Sequence, residues 1–374
     1  MAVSPPVPTV LSIAGSDPSG GAGIQGDLKT FAALRVHGCA VVTALTAQNT
    51  RVVRSVWPVP ADVVAQQLTT LLEDVEVHAV KIGMLADAAI VRAVAGVLRR
   101  FPGIPIVLDP VLSASVGGAL LEPSAVAALL DELVPLAAVI TPNAAEAGAL
   151  TGEPAPTSLA QAARVAQLIV ARGAKAALVT GGHFGGSATS IDVLATPLGV
   201  ETFTVARIAG DGAHGSGCAL SSAIAALLAC GRGISLACAE AQQFVARGIR
   251  DGQQLGIGHG VQPVHSLGGL WALPVPGHPS PITSTLTMSD ATPIVMLSEL
   301  TCPHCGHRES LTMQTDACLF FHECVACHTV IRPKEGDCCV FCSYGSVVCP
   351  PMQDGSSDCC ATKASAIPVA RSAS

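Results

Sequence analysis

The feature that most restricts the fold is a regular alternation between residues 8 and 260. Short runs rich in β-branched residues alternate there with longer stretches rich in alanine and leucine. Such alternation predicts an α/β domain whose mainly parallel sheet is flanked by helices on both faces, with ligands at the strand ends. The predicted strands are 8–14, 39–46, 78–82, 105–108, 137–140, 175–180 and 189–194, and the predicted helices are 24–35, 60–74, 87–99, 124–134, 157–172, 217–229 and 234–249.

Charge and hydropathy exclude several classes of protein. The 374 residues carry a net charge of −7, which argues against nucleic-acid binding because that requires a basic surface. Apolar runs stay below the roughly 18 residues that would span a bilayer, so we expect no membrane partner. The first residues, MAVSPPVPTVLSIAG, lack the basic segment of a secretory signal, so we expect a cytoplasmic location.

The 15 cysteines are distributed unevenly along the chain. Four lie within residues 1–271, and eleven lie between Cys302 and Cys360. A reducing compartment disfavours disulfides, so this clustering indicates metal binding or redox chemistry. The sequence therefore predicts a domain at 1–271, a Pro-, Ser- and Thr-rich linker at 272–290, a Cys-rich module at 291–353 and a flexible tail at 354–374.

A first glycine-rich segment, AGSDPSGGAGIQGD at Ala14–Asp27, follows the first predicted strand and leads into a helix. Its glycines allow backbone N–H groups to approach a ligand, and the helix start adds a positive potential. It matches neither a Walker A loop nor GxGxxG. An ordinary βα turn explains the same composition, so this segment alone does not identify a site.

A second glycine-rich segment, GDGAHGSGC at Gly210–Cys218, directly precedes the helical ALSSAIAALLAC. Gly215 and Gly217 can leave backbone N–H groups free at the helix start, which predicts an anion hole for a transferring phosphoryl group. Cys218 falls in the first turn, where the helix potential is expected to lower the pKa of its thiol. The alternative is a tight turn beside a buried cysteine.

The segment Thr141–Glu146 follows the fifth predicted strand. If a helix begins there, Asn143 and Glu146 share one face and could hold Mg²⁺ through water and phosphate. The alternative is a helix cap, in which Asn143 and Glu146 satisfy each other's backbone N–H groups. Asp109, at the end of the strand in LDPV, is open to the same two interpretations.

Eight segments of residues 8–271 occur together in one order: IAGSDPSGGAGIQGDLKTF, VTALTAQNT, VKIGML, IVLDPV, ITPNAAEA, VTGGH, HGSGCALSSAIAA and GIGHGVQPVH. This set resembles the hydroxymethylpyrimidine/phosphomethylpyrimidine kinases of thiamine biosynthesis, which are ribokinase-like proteins. The resemblance implies a ribokinase-like sheet flanked by helices, a homodimer, and the use of ATP and Mg²⁺. It also implies phosphorylation of a small-molecule substrate, 4-amino-5-hydroxymethyl-2-methylpyrimidine, and then of its monophosphate.

The resemblance assigns roles to residues that match the family's motifs. Gln48 would hydrogen-bond the aminopyrimidine ring, and Cys218 would act as base on the substrate hydroxymethyl group. The residues expected in substrate binding are Gln48, Gly15, Asp27 and Met84, those expected to bind ATP and Mg²⁺ are Asn143, Glu146, Asp109, Thr180 and Gly182, and those expected in catalysis are Gly215, Gly217 and Cys218.

Thr180 departs from the family pattern, because many members carry lysine there in a KGGH segment. Threonine can hydrogen-bond a phosphate but adds no positive charge, so the transition state loses stabilisation unless another group substitutes. The basic residues that could substitute are Lys29, Lys81, Lys175 and His183. Pyridoxal kinases share this architecture and are the alternative, although TAQNT and HGSGC favour the pyrimidine substrate.

Two CxxC pairs dominate the C-terminal module. Cys302 with Cys305 and Cys324 with Cys327 form C-x2-C-x18-C-x2-C, a spacing typical of zinc sites. Four thiolates from two tight turns predict a tetrahedral Zn²⁺ in a small zinc-ribbon-like domain. A module of this size needs such a cross-link to fold. The alternative is a set of free or redox-active thiols.

The other C-terminal cysteines do not fit that site. The segment GDCCVFC at residues 336–342 resembles small bacterial proteins with a GDCCVxC motif, a resemblance that implies no activity. Its thiols are consistent with soft-metal or redox chemistry. They keep open a different function, in which the kinase fold is a non-catalytic ligand-binding scaffold. Three N-terminal cysteines, Cys39, Cys230 and Cys238, are expected to be small buried core residues.

Overall fold

The computed structural model describes residues 7–112, 123–181, 188–210, 212–271, 295–313, 319, 321–334, 337 and 339–353. The predicted linker at 272–290, the predicted tail at 354–374, Gly182 and His183 lie outside the described residues. The chain divides into two compact units, and the division after Pro281 falls within the predicted linker. We call them the N-terminal unit and the C-terminal unit and describe each by itself.

The N-terminal unit alternates strands and helices over its whole length. Between its fourth helix and its seventh strand, the chain continues through a π-helical turn at Leu129–Leu133 and a 3-10 turn at Val134–Leu136. Its elements are β1 (Thr9–Ala14), α1 (Gly23–Ala33), β2 (His37–Val42), β3 (Ala44–Gln48), β4 (Val53–Pro58), α2 (Ala61–Leu72), β5 (Ala79–Ile82), α3 (Ala88–Leu98), β6 (Ile106–Leu108), α4 (Pro123–Ala128), β7 (Val139–Ile140), α5 (Ala144–Thr151), α6 (Leu159–Ala171), β8 (Ala177–Val179), β9 (Thr189–Thr196), β10 (Gly199–Ala206), α7 (Ser216–Ala229), α8 (Ile234–Gly252) and α9 (Gly268–Trp271).

Eight of these strands form one sheet in the order β10-β9-β8-β7-β6-β5-β1-β2. The six strands from β8 to β2 in this order run parallel to one another, whereas β9 is antiparallel to both of its neighbours, β8 and β10. All six residues of β1 are buried, as expected for a strand with helices on both faces. The predicted mainly parallel α/β fold is therefore confirmed.

Helices cover both faces of the sheet, because alternate strand residues pack in opposite directions. In β6, Ile106 and Leu108 join a core that includes Leu68 of α2. Val107, between them, joins a second core that includes Ile224 of α7. The period-2 alternation of a strand thus divides one apolar run between two cores.

One predicted strand is divided in the structure, and two further strands were not predicted from the sequence. The predicted strand 39–46 divides into β2 and β3, because β3 leaves the main sheet and pairs with β4 as a separate antiparallel hairpin. Strand β4 lacks the buried pattern of a core strand, and the edge strand β10 is mostly exposed, so neither was predicted. Exposure removes the apolar signal by which sequence patterns identify strands.

The three cysteines expected in the core of the N-terminal unit differ in their surroundings. Cys238 is buried in the core beside α7, as expected. Cys39 is only half-buried, and Cys230 is exposed because it caps the C-terminal end of α7. Within the described residues, no helix is long and apolar enough to cross a membrane.

The C-terminal unit is built from two small antiparallel hairpins and two short helices. Its core packs Leu300, Met313, Ile331 and Phe341 against buried cysteines. The elements are β11 (Leu297–Thr301), β12 (Arg308–Thr312), β13 (His322–Glu323), β14 (Val330–Ile331), α10 (Val340–Tyr344) and α11 (Pro350–Gln353). One CxxC turn lies between β11 and β12, and the other lies between β13 and β14.

Candidate active site

The site lies where five neighbouring parallel strands end. Along the sheet, β8, β7, β6, β5 and β1 are adjacent, so their carboxyl ends meet at one edge. The residues just beyond those ends are Thr180 after β8, Asn143 after β7, Asp109 after β6, Met84 after β5 and Gly15 after β1. Residues that are far apart in sequence are therefore brought into one row by the strand order.

A pocket of about 350 Å³ opens at this edge. It brings together all the residues assigned to the kinase site from sequence except Asp27, whose placement differs, and Gly182, which lies outside the described residues. The assigned residues that line it are Gly15, Gln48, Met84, Asp109, Asn143, Glu146, Thr180, Gly215, Gly217 and Cys218. Lys81, considered from sequence as a substitute cation, also lines it, as do Asp17 and His214, which were not assigned a role.

The first glycine-rich segment forms a closely packed loop between β1 and α1. Gly23 has a φ of +56°, and a Cβ there would lie 2.4 Å from the carbonyl oxygen of Gly15, so only glycine fits. Asp17 organises this loop, because its carboxylate accepts hydrogen bonds from the backbone N–H groups of Ser19 and Ala22. An aspartate before Pro-Ser-Gly is typical of such a turn, which is the signal that could have identified Asp17.

The second glycine-rich segment packs directly on the first. Gly215 has a φ of +79°, and a Cβ there would lie only 1.9 Å from the carbonyl oxygen of Gly21. Gly215 also precedes α7, so the N–H groups of Gly217 and Cys218, in the first turn of that helix, stand at the pocket, as an anion hole requires. The close contact explains why two distant segments both need glycine.

A buried hydrogen bond between two side chains joins the same two loops. His214 Nε2 lies 2.8 Å from Asp17 Oδ2, and both side chains are almost fully buried. Burial opposes ionisation of Asp17, but the hydrogen bonds from His214 and Ser19 outweigh it and lower the pKa of the Asp17 carboxyl. Within the described residues, His214 Nδ1 is buried without a hydrogen-bond partner.

Asp27 does not line the pocket, contrary to the expectation from sequence. It is fully buried beneath the pocket, where both carboxylate oxygens contact Lys81 Nζ at 2.9 and 2.8 Å. The hydroxyl groups of Ser12 and Ser222 donate further hydrogen bonds to this carboxylate at 2.6 and 2.7 Å. Every charge-bearing atom of Asp27 is therefore used in holding Lys81.

Among the candidate basic residues that the structure describes, Lys81 lines the pocket. Burial by itself lowers the pKa of Lys81, but Asp27, Cys218 and Asp109 act in the opposite direction. The net effect raises the pKa of Lys81, so the amine stays charged at neutral pH. Lys29, another of the candidates, is exposed and donates a 2.7 Å hydrogen bond to the carbonyl oxygen of Gly20.

The pKa of the Cys218 thiol differs from the expectation based on sequence. Its place in the first turn of α7 is as expected, but burial raises the pKa of the thiol to about 12 instead of lowering it. Lys81 and a backbone hydrogen bond with Gly23 lower this pKa, whereas Asp109 and Asp27 raise it further. Desolvation exceeds the effect of the helix end, so the thiol is protonated at neutral pH in this pocket.

Asn143 and Glu146 form the helix cap that the sequence left as an alternative. Asn143 Oδ1 accepts a hydrogen bond from the Glu146 backbone N–H at 3.0 Å, and Glu146 Oε2 accepts one from the Asn143 N–H at 2.9 Å. Both side chains nevertheless line the pocket. Capping positions them there, so the two interpretations are compatible.

Two desolvated carboxylates lie in this part of the pocket. Burial, with a contribution from Asp109, raises the pKa of Glu146 to about 7. Burial also raises the pKa of Asp109, although Lys81 and a 3.0 Å hydrogen bond from Ser221 Oγ oppose that rise. Carboxylates that repel each other in a dry pocket would be stabilised by a hard divalent cation such as Mg²⁺.

Asp192 positions the backbone beside Thr180 and was not identified from sequence. This buried carboxylate of β9 accepts hydrogen bonds from the Gly181 N–H and from Gln242 Nε2, each at 2.9 Å. Burial raises the pKa of Asp192 to about 6. The signal available in the sequence was a single acid inside the apolar strand SIDVLA.

Two groups of sulfur atoms lie among the described residues of the C-terminal unit. We call Cys302, Cys305, Cys324 and Cys327 the first thiol cluster, because their sulfurs all lie within 4.8 Å of one another. The second thiol cluster is formed by Cys339, Cys342 and Cys349, whose sulfurs satisfy the same limit. The four cysteines with zinc-site spacing are thus brought together.

Comparison with known proteins agrees with this geometry. Residues 17–265 match the family model described as phosphomethylpyrimidine kinase. A hydroxymethylpyrimidine/phosphomethylpyrimidine kinase of Rhizobium meliloti is 47% identical over 261 residues, which cover 70% of this chain and 97% of that protein. The homologues do not cover the Cys-rich module.

Solved structures give the same result for the fold. A pyridoxal kinase of Bacillus subtilis in complex with ADP has a TM-score of 0.66 and 32% identity, covering 71% of this chain and 99% of that one. The phosphomethylpyrimidine kinase of Clostridium difficile has a TM-score of 0.58 and 36% identity, covering 65% of this chain and 99% of that one. The N-terminal unit is therefore ribokinase-like, and the chain is a phosphotransferase that belongs to the phosphomethylpyrimidine kinase family.

Proposed function

We propose that the chain transfers the γ-phosphoryl group of ATP to the hydroxymethyl oxygen of 4-amino-5-hydroxymethyl-2-methylpyrimidine, and then phosphorylates the resulting monophosphate. One observation carries this proposal: Gln48 and Met84 line the same pocket of about 350 Å³ as the N–H groups at the start of α7. A ring-binding group and an anion hole in one pocket are what a small-molecule kinase requires.

Each proposed group has a stated task. Gln48 hydrogen-bonds the aminopyrimidine ring, while Met84 and Gly15 form the wall against which the ring packs. A Cβ at Gly15 would lie 3.1 Å from the sulfur of Met84, so a larger residue would narrow this part of the pocket. The N–H groups after Gly215 bind the transferring phosphoryl oxygens. The hydroxymethyl oxygen attacks the γ-phosphorus, the bond to the bridging oxygen breaks, and ADP leaves.

Cys218 is the proposed acceptor of the hydroxymethyl proton. Because the pKa of its thiol is about 12, only the small thiolate fraction can accept that proton at neutral pH. The loose transition state of phosphoryl transfer needs little deprotonation of the attacking oxygen before the phosphorus bond forms. A base of small population but high basicity is compatible with such a reaction.

The oxygen donors of the pocket fit Mg²⁺. Glu146, Asn143 and Asp109 would hold the ion, directly or through water, because hard cations prefer carboxylate and amide oxygens. Burial raises the pKa of both carboxyl groups, so a bound cation would favour their ionised forms. When bound, Mg²⁺ neutralises negative charge on the phosphates of ATP.

Thr180 stands in the pocket without a positive charge of its own. Lys81 is the nearby permanent cation, but two Asp27 contacts occupy its amine and offset much of its charge. Thr180 and the Gly181 backbone, held by Asp192, would bind phosphate by hydrogen bonds alone. We expect the second phosphorylation to be the slower step, because its acceptor is already anionic.

The assay that tests the proposal compares three acceptors with the full chain and Mg-ATP: the hydroxymethylpyrimidine, its monophosphate and pyridoxal. Release of ADP is measured for each acceptor. We expect a higher kcat/KM with the pyrimidine than with pyridoxal. Turnover of pyridoxal alone would instead assign the activity of the structurally similar pyridoxal kinases, and no turnover of any acceptor would support a ligand-binding scaffold.

A Gln48→Leu variant tests recognition of the ring. Loss of hydrogen bonds to a buried polar ligand costs about 1–3 kcal/mol, or roughly 5- to 150-fold in kcat/KM for the pyrimidine. Gln67→Leu is the matched control, because Gln67 hydrogen-bonds the backbone of Val42 outside the pocket. An equal loss in both variants would contradict a role for Gln48 in recognition.

The pH dependence of kcat tests Cys218. If its thiolate accepts the proton, kcat of the unaltered chain should rise about tenfold per pH unit between pH 7 and 9, since the thiolate population does so. A Cys218→Asp variant carries a carboxylate instead and should show a flat profile over this range. A flat profile in the unaltered chain would remove Cys218 from proton transfer.

For the C-terminal unit we propose one structural Zn²⁺ at the first thiol cluster. The Sγ atoms of Cys302 and Cys327 lie 3.8 Å apart, and those of Cys305 and Cys324 lie 3.6 Å apart. A tetrahedral ion with Zn–S bonds of about 2.3 Å separates its sulfurs by about 3.8 Å. Elemental analysis of the purified chain should give one zinc that is lost in Cys305→Ser; a full complement in that variant would contradict the site.

The two turns of this cluster are equivalent in structure. Cys302 N–H donates to the carbonyl oxygen of His307, and Cys324 N–H donates likewise to Thr329. Gly306 and His328 occupy the left-handed region at matching positions, with φ values of +73° and +57°. Two copies of one turn that present four sulfurs to each other are typical of a zinc ribbon.

We also propose a homodimer. Leu45 and Trp57 are directly opposite each other in the β3–β4 hairpin, and they are 54% and 56% exposed. Adjacent apolar side chains of this size on a surface are typical of protein interfaces. Light scattering should give twice the chain mass, and Trp57→Glu should reduce it to one; a monomer in the unaltered chain would contradict the proposal.

A further inference from the structure

The segment GIGHGVQPVH, at residues 256–265, follows α8, and none of its residues lines the described pocket. We call it the strap, because it contacts two parts of the pocket wall that are distant in sequence. One contact is with the turn that follows Gln48, and the other is with the residue that precedes Gly215. The strap therefore connects the ring-binding side of the site to the anion hole.

At one end the strap packs on Thr50, in the turn between β3 and β4. The Gly260 N–H donates a hydrogen bond to Thr50 Oγ1 at 3.1 Å. A Cβ at Gly260 would collide with the carbonyl oxygen of Thr50, so only glycine allows this close approach. Because Thr50 is two residues after Gln48, the strap lies directly on the part of the chain that presents Gln48 to the pocket.

The turn at residues 49–52, which we call the recognition turn, is closed by its own hydrogen bonds. Asn49 Oδ1 accepts hydrogen bonds from two backbone N–H groups of the turn, at 2.9 and 3.1 Å. Gln48 and Val53 pair with each other where the turn joins the two strands. A turn closed in this way moves as one piece, so a shift of Thr50 also shifts Gln48.

At its other end the strap holds the residue before the anion hole. The His214 N–H donates to the carbonyl oxygen of Gln262 at 2.9 Å, and the Val264 N–H donates to the carbonyl oxygen of His214 at 3.2 Å. The next N–H group of the strap, that of His265, bonds to α8. Since His214 directly precedes Gly215, these bonds fix the point at which α7 begins.

Gln262 gives the strap its shape between the two ends. Its Oε1 accepts a hydrogen bond from the Ile257 N–H at 2.9 Å, and its Nε2 donates one to the Ile257 carbonyl oxygen at 3.2 Å. One side chain thus satisfies both backbone groups of a residue five positions earlier. The loop closed by these bonds carries Gly260 onto Thr50, while the backbone of Gln262 holds His214.

We propose that Gln262 is a positioning residue for phosphoryl transfer, which sets the distance between the ring bound by Gln48 and the anion hole after Gly215. This inference rests on the proposed function, because that function places the acceptor and the phosphoryl group at the two ends of the strap. A displacement of about 1 Å between reacting groups lowers a rate by about 100-fold. Gln262 lies outside the pocket and acts through the strap.

Gln262→Met tests this role, because methionine keeps the length of the side chain and removes both hydrogen bonds. With Mg-ATP and the acceptor that the unaltered chain turns over fastest, kcat should fall by about 10- to 100-fold, while both KM values change by less than about twofold because both binding groups remain. Gln161→Met is the matched control, since Gln161 Oε1 also accepts a backbone N–H, that of Thr157 at 2.8 Å, outside the pocket. An unchanged kcat in Gln262→Met, or an equal fall in both variants, would overturn the proposal.

A double-mutant cycle tests whether the two ends act through one strap. Thr50→Val removes the hydroxyl acceptor of the Gly260 N–H and keeps the shape of the side chain. If Thr50 and Gln262 act together, the double variant should be no slower than the slower single variant. Additive losses of kcat would show that the two residues act separately and would overturn the strap as their link.

Hydrogen exchange distinguishes this inference from the proposed function, because it requires no acceptor. In Gln262→Met, amide protection should fall both in the recognition turn and at the start of α7, whereas Gln161→Met should leave both unchanged. Lost protection confined to the strap would overturn the inference, whichever acceptor the chain phosphorylates. A chain that turns over no acceptor but loses protection at both ends would contradict the proposed function and support the strap.

Discussion

The two units of this chain use buried side chains in different ways. Two apolar cores, one on each face of an eight-stranded sheet, hold the N-terminal unit together, and Cys238 is the fully buried cysteine that they contain. In the described core of the C-terminal unit, four of nine buried residues are cysteines. Cysteine is a small apolar core side chain in one unit, whereas in the other its sulfurs are gathered into two clusters among the described residues.

The difference indicates that a large unit and a small unit are stabilised in different ways. The N-terminal unit buries enough apolar surface to fold on hydrophobic free energy. In its described residues, the C-terminal unit has two short hairpins and helices of four and five residues, and a module this small needs a cross-link to fold. The zinc proposed at the first thiol cluster would supply the cross-link that replaces a large core.

Removal of zinc should have the largest effect, because it should unfold one unit and leave the other folded. Structural zinc contributes about 10–16 kcal/mol to folding of small metal-binding modules, so a chelator should unfold the C-terminal unit entirely. The N-terminal unit contains no part of either thiol cluster and should keep its structure. Hydrogen exchange is expected to show lost protection in β11–β14 and retained protection in β1 and β5; equal loss in both units would contradict the contrast.

A charge left unpaired in the N-terminal unit should have the next largest effect. Lys81→Met leaves the Asp27 carboxylate buried without its cation, which costs about 3–5 kcal/mol of unfolding free energy. Lys29→Met is the control, because Lys29 is exposed and its loss should change stability by less than about 0.5 kcal/mol. Denaturant unfolding measures both values.

A double variant sharpens this test. Lys81→Met with Asp27→Asn leaves no buried charge, so it should recover part of the lost stability. If the double variant is less stable than Lys81→Met, the carboxylate contributes chiefly through its hydrogen bonds from Ser12 and Ser222 rather than through the ion pair.

The contact between the two glycine-rich loops should affect activity more than stability. In Gly215→Ala the new methyl group would meet the Gly21 carbonyl, which must displace one loop and lower kcat/KM by about 100-fold. Gly231→Ala is the matched control, with a similar φ of +82° and open space around its Cβ. Equal losses of activity would show that backbone strain alone, and not the collision, is responsible.

The smallest expected effect is a pH dependence of Mg-ATP binding. Burial raises the pKa of Glu146 to about 7, so below that pH the carboxyl is protonated and neutral and holds Mg²⁺ poorly. KM for Mg-ATP should therefore rise as pH falls from 8 to 6. Glu146→Gln should raise KM at every pH and remove this dependence. Glu153→Gln is the control, because Glu153 pairs with Arg164 outside the pocket, and it should retain the dependence. A KM that does not change with pH would exclude Glu146 from the ion site.

The residues of the site were predicted from the sequence more completely than their burial and their contact partners. Asp109 and Asn143 were found because each follows a predicted strand, and strand ends are a feature that local patterns reveal, whereas Thr180 was assigned from the family resemblance. Asp27 was misplaced because motif matching does not show whether a side chain points into a pocket or beneath it. His214 and Asp192 were missed because their partners, Asp17 and Gln242, lie 197 and 50 residues away.

The sequence by itself determined the mainly parallel α/β fold, the positions of the two glycine-rich loops and the pairing of CxxC motifs, because each depends on residue types at short spacing. Only the tertiary structure decided that Asp27 binds Lys81, that desolvation raises the pKa of Cys218, and that Cys339 and Cys342 meet Cys349. Burial and charge proximity are properties of packed surfaces, and a linear sequence does not specify which surfaces exclude water.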